Sequence, residues 1–160
     1  MTADEPERET LTEAEFREAL QTGQRNFSDT TIETDPISGT LELDGVNFPC
    51  LFLCNAKVKG SLDVSNVDMG TCGTLDFSGL NVEGEISLHN ISGLESLDLS
   101  RLTTIDGLAL CNVKLAETGI VCVDDPAVAL TCMAYFGRGV VIAPELAARF
   151  SRLLTLLEKH

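Results

Sequence analysis

Between residues 39 and 115 the chain repeats a short apolar-x-apolar motif. The pairs are Leu41/Leu43, Leu51/Leu53, Leu62/Val64, Leu75/Phe77, Ile86/Leu88, Leu97/Leu99 and Leu108/Leu110. Their first members are spaced by 10, 11, 13, 11, 11 and 11 residues. Five positions after each first member stands another apolar residue: Val46, Ala56, Val67, Leu80, Ile91, Leu102 or Val113. Most of these open a second pair, as in Ala56/Val58, Val67/Met69 and Leu80/Val82, whereas Ile91 and Leu102 are followed by Gly93 and Thr104. Alternation over three residues predicts short strands with one buried face.

Small polar pairs fill the gaps: Ser65-Asn66, Ser78-Gly79, His89-Asn90, Ser100-Arg101 and Cys111-Asn112. Asn, Gly and Ser suit the turn and left-handed conformations of a sharp corner. No helix-length segment separates the strands, which argues against β-α-β units. One repeat of 11 residues closes a perimeter of only about 36 Å, too small to hold side chains. Two repeats, about 22 residues in four short sides, enclose a core. The expectation is a mainly β chain wound as a right-handed parallel β-helix. It would have roughly four to five coils stacked at about 4.8 Å, with short N-terminal and C-terminal capping helices.

The pattern resembles that of the pentapeptide-repeat proteins, whose coils are four-sided with five-residue sides. The lead-in Phe16-Arg-Glu-Ala-Leu-Gln-Thr-Gly-Gln-Arg-Asn-Phe27 also resembles the short helix that opens such proteins. The resemblance covers residues 16–115 and implies a fold rather than an activity. One departure is that both inward positions are large here, as in Leu62/Val64 and Leu97/Leu99. A wider or flattened β-helix is the variant that this departure suggests. A leucine-rich repeat is a rival, because Leu97-Asp98-Leu99 and Leu108-Ala109-Leu110-Cys111-Asn112 echo its strand motif. That motif recurs about every 20–29 residues, against a spacing of 11 here.

The flanks read as closure. Residues 1–11 form an acidic, disordered lead, 12–143 the β-helix with its N-terminal helix, and 144–160 a C-terminal amphipathic helix. Thr12-Glu-Ala-Glu15 is a capping-box pattern, followed by Phe16, Ala19 and Leu20 on one helical face and Gly23 at the stop. Residues 26–39 read as an irregular first turn. Beyond Leu115, residues 120–123 and 129–132 read as strands joined by an Asp124-Asp125-Pro126 turn, and 139–142 as a last strand. Pro144 then opens a helix with an apolar stripe at Leu146, Phe150, Leu153, Leu154 and Leu157. The stripe has two readings, a lid over the last coil or a dimer interface.

Length bounds the chain at one domain, 160 residues with 44% hydrophobic content. No apolar run reaches the roughly 18 residues of a membrane span, and the acidic start is opposite to a signal peptide. The expectation is a cytoplasmic protein that does not engage membranes. Net charge is −14. Residues 1–35 carry −7, residues 36–136 carry −9, and residues 137–160 carry +2. So acidic a body disfavours direct nucleic-acid binding. The charge has two readings: a solvated surface suited to high salt, or a rod that imitates nucleic acid. The second follows the resemblance, since some pentapeptide-repeat proteins act on DNA gyrase in this way. Glu42, Asp63, Asp76 and Asp98 are the outward acids that would serve it, in rows broken by Phe52, Ser87 and Ala109.

Candidate chemistry is sparse. The six cysteines, Cys50, Cys54, Cys72, Cys111, Cys122 and Cys132, form no C-x-x-C pair and show no zinc spacing. Cys54, Cys111 and His89 share the corner slot of Ser65, Ser78 and Ser100, so they read as corner residues. No phosphate loop or nucleophile elbow is present. No catalytic, metal-binding or cofactor-binding residue is assigned. The function expected is therefore a non-enzymatic scaffold or protein-interaction module that self-associates, with a homodimer as the first partner to consider. The alternatives are an acidic DNA-mimic regulator of a topoisomerase-like enzyme and a cysteine-based metal or redox module.

Overall fold

A computed structural model describes residues 9–37, 39–45, 50–137, 139–142 and 148, with residues 70–72 described by backbone alone. The chain is mainly β, with parallel sheets. The first sheet joins β1 (Thr10–Thr12), β2 (Thr31–Glu33), β5 (Lys57–Lys59), β7 (Asn81–Val82) and β9 (Thr103–Thr104), in that order. The second joins β3 (Thr40–Asp44), β6 (Ser61–Asp76), β8 (Ile86–Leu99), β10 (Leu108–Val123) and β11 (Val140–Ile142), with β4 (Cys50–Phe52) also on β6.

Register follows the sequence repeat. Leu41, Leu62, Ile86 and Leu108 stand level across four strands, as do Leu43, Val64, Leu88 and Leu110. A second column runs Leu51, Leu75, Leu97, Val121 and Val140. Ile32, Val58 and Val82 form a third. Apart from the outermost members these residues are fully buried, and each is worth about 1.5–3 kcal/mol of burial. Such columns explain why Leu, Val and Ile dominate.

The corners are single left-handed residues. Asn66 (φ 56°), Asn90 (φ 54°) and Asn112 (φ 52°) form one line, and Asp29 (φ 60°), Asn55 (φ 57°), Gly79 (φ 69°) and Arg101 (φ 54°) the other. At the first line the residue bends a strand without ending it, so β6, β8 and β10 are long bent strands of 16, 14 and 16 residues, whereas at Asn55, Gly79 and Arg101 one strand ends and the next begins. Where two sides are spaced more widely the register shifts, between Asp68 and Thr74 and between Val113 and Ile120.

Helix α1 (Glu13–Gln21) starts at the expected capping box: the Thr12 hydroxyl accepts from Glu15 N, and Glu15 Oε2 accepts from Thr12 N. Phe16 and Leu20 are buried, and the Phe16 ring packs at 4.5 Å on Phe27.

Several expectations change. The lead does not run unstructured to residue 11, because β1 pairs with β2 in parallel register. Likewise β2 lies inside the segment read as irregular. Residues 129–132 are not a strand. They belong to helix α2 (Pro126–Phe136), and Asp124-Asp125-Pro126 is its start rather than a turn between strands. The Asp125 carboxylate accepts from Ala127 N and Val128 N, Pro126 stands in the first turn, and Gly137 (φ 72°) closes the far end. These capping signals outweigh the strand reading of the short, mostly apolar run Ala129-Leu130-Thr131-Cys132. The helix expected over residues 144–160, with its stripe at Leu146, Phe150, Leu153, Leu154 and Leu157, falls outside the described residues except at position 148, and the Val46/Phe48 pair falls outside them too.

Candidate interaction surface

The outward side of the first sheet is close to neutral. Glu33 pairs with Lys59 at 3.6 Å and Glu83 with Lys57 at 3.5 Å. The acids singled out from the sequence lie on the second sheet, and they do not form one row. Glu42 stands level with Asp63, and that row continues to Ser87 and Ala109. Asp76 stands level with Asp98, between Phe52 and Cys122.

Three of the four carboxylates are also engaged within the chain. Asp63 Oδ1 lies 2.9 Å from His89 Nε2. Asp76 Oδ1 accepts from Ser78 N and Oγ, and Asp98 Oδ1 likewise from Ser100 N and Oγ. These Asp-x-Ser turns brace the corner that follows each strand. His89 therefore has a partner that sequence spacing did not reveal, 26 residues earlier and one strand away.

Along the first corner line, Asn66 Nδ2 donates to Asp44 at 2.8 Å, Asn90 to Asn66 at 3.0 Å and Asn112 to Asn90 at 2.8 Å. An amide both donates and accepts, so it can repeat in such a line, whereas the Asp44 carboxylate only accepts and therefore starts it.

The thiols are dispersed. Cys54 Sγ lies 3.3 Å from Ser78 Oγ, whose one proton goes to Asp76, so the thiol donates there, and it accepts from Asn55 Nδ2 at 3.5 Å. Burial, aided by Asp98, pushes the Cys122 thiol up from its ordinary pKa, and burial alone pushes Cys132 up to about 11. Among the described residues no three His, Cys, Asp or Glu side chains converge as a metal site.

The two edges of the stack differ. At the N-terminal edge α1 seats Phe16 and Leu20 over the core. At the C-terminal edge, α2 inserts Val128, Ala129 and Cys132, and Tyr135 Oη accepts from Val113 N at 2.8 Å. This cover is partial. Leu108, Leu110 and Leu115 are only half-buried, although the residues level with them, Ile86, Leu88 and Leu94, are completely buried.

Among the described residues, β9 has no neighbour beyond it, and β10 meets β11 only at Val121, Cys122 and Val123. Helix α2 turns Leu130, Met133 and Tyr135 to the outside, and Ile105 is 75% exposed. Clefts of about 440 and 420 Å³ flank the helix, one along Leu102–Leu108 and one beside Asn112 and Val113. Sequence reading missed this surface because it read α2 as a strand. The Asp125-Pro126 start and Gly137 were the signal.

No family model, curated protein or solved structure matches the chain. Among the described residues, no helix is long and apolar enough to cross a membrane.

Proposed function

We propose that the chain is a right-handed, four-sided β-helix of the pentapeptide-repeat kind, acting as a non-enzymatic scaffold whose contact surface is its C-terminal edge. Parallel pairing at intervals such as Leu62 to Ile86 and Ile86 to Leu108 supports the architecture, as do the left-handed corners. The observation that carries the function is the inequality of Leu88 and Leu110, which are level and equally apolar yet buried to different degrees. An open strand edge beside an apolar helix face invites another chain. The DNA-mimic reading is less favoured, because its acids fall in two short rows and three of them are held by His89, Ser78 and Ser100.

Amide exchange on the full chain at submicromolar concentration tests the proposal. The inner ladders of β6 and β8 should exchange slowest, with β9 and residues 108–112 at least tenfold faster. Equal protection of both edges would mean that the C-terminal edge is already sealed and would sink the reading.

A further inference from the structure

We infer that the partner at this edge is a second copy of the same chain, docked edge to edge about a two-fold axis. This rests on the scaffold reading above and names the occupant. The apolar part of the contact is Ile105, Leu108, Leu110, Leu130, Met133 and Tyr135, all wholly or partly exposed.

Three observations select a second copy and this geometry. First, α1 covers the opposite edge with Phe16 and Leu20, so copies cannot stack in one direction without limit. The contact that remains is isologous, and it closes at two subunits. Second, the acids of the second sheet lie on the flanks, where Glu42, Asp63, Asp76 and Asp98 face outward between neighbouring strands. Side-by-side association would bring these flanks together, whereas edge-to-edge contact holds them apart. Third, the edge carries both signs, with exposed Arg101 and Lys114 on the same outer strands and turns as exposed Asp106 and Glu117, while half-buried Asp124 and Asp125 are held by Arg101 N and the first turn of α2. A two-fold axis lets these two cations of one copy face the two exposed carboxylates of the other, so the patch is complementary to itself.

The test is light scattering on the full chain from low micromolar to high micromolar concentration, at low and high salt. The expected result is a mass of twice 17.2 kDa. In Leu130→Asp and in Met133→Asp, both on the exposed side of α2, the dissociation constant should rise at least tenfold with the circular dichroism unchanged. A spin label on exposed Cys111 should report one short inter-subunit distance in the wild type and none in the variants.

A monomer at every concentration would overturn the inference, with the edge then covered by residues 143–160 or by an unrelated protein. Dimers that survive both variants would also overturn it, because the contact would lie elsewhere. Either outcome leaves the scaffold reading to the exchange experiment, which is run below the dimerisation range.

Discussion

Asn90 Nδ2 donates to Asn66 Oδ1 at 3.0 Å while both residues hold left-handed backbone, so one side chain serves two purposes at each corner. Asparagine tolerates that conformation, and its amide continues the line from level to level. Replacing Asn90 by alanine removes both contributions and should cost about 1–2 kcal/mol. Replacing it by glycine keeps the backbone freedom and should cost roughly half as much. Urea unfolding of the two variants checks this. If alanine and glycine cost the same, the backbone term is negligible and the argument fails.

The inward columns make a sharper prediction. Leu88 and Leu99 are completely buried. Aspartate at either position leaves an unpaired charge in the core, at a cost of several kcal/mol. Leu110→Asp, half-buried on the outer strand, should cost about 1–2 kcal/mol when the chain is monomeric. Equal thermal midpoints for the inner and outer variants would contradict the register.

Arg101 breaks the rule of its line. Its neighbours there are Asp29, Asn55 and Gly79, all suited to positive φ, yet Arg101 holds φ 54° while its backbone N donates to Asp124 Oδ1 at 2.7 Å. Arg101→Gly should stabilise the monomer by about 0.5–1 kcal/mol through relief of that strain. Chemical denaturation measures the change. A destabilised variant would mean that the guanidinium makes a compensating contact.

The cysteines predict a pH dependence. The thiol of Cys132 is held up to about 11 by burial, against an ordinary 9.0. Above pH 9 the unfolded chain therefore loses this proton before the folded chain does. The unfolded state then binds fewer protons, so stability falls as pH rises from 9 towards 11. Cys132→Ala should flatten that part of the stability curve relative to wild type. At neutral pH, alkylation followed by mass spectrometry should modify exposed Cys111 well before Cys132. Modification of Cys132 at the same rate would show that α2 does not cover it.

Repeats made the strands and their inward faces legible in the sequence. A period near 11 and the alternation within each pair identified the inward residues Leu62, Val64, Ile86, Leu88, Leu97 and Leu99, all completely buried. The polar pairs located the corners but not which member of each turns left-handed, as Arg101 rather than Ser100 shows. What could not be read was non-local or weakly patterned. The pairing of His89 with Asp63 depends on which strand lies alongside, and spacing within one repeat carries no trace of it. The helix at residues 126–136 was hidden because it has little amphipathic contrast: it is apolar on its outward side as well, at Leu130 and Met133. That same lack of contrast makes it the candidate contact.

The line of Asp44, Asn66, Asn90 and Asn112 also bears on how such a chain can change length. Its members are 22, 24 and 22 residues apart, and each amide faces the one before it in the same sense. Inserting or deleting a single residue within a side of β8 would move the later side chains of that side to the opposite face. Duplicating a whole level would restore both the inward columns and the amide line, because the new asparagine would meet the same acceptor as the old. Growth and loss in this lineage should therefore proceed in blocks of about two repeats. Alleles with shorter insertions should be confined to the places where the register already slips, between Asp68 and Thr74 and between Val113 and Ile120.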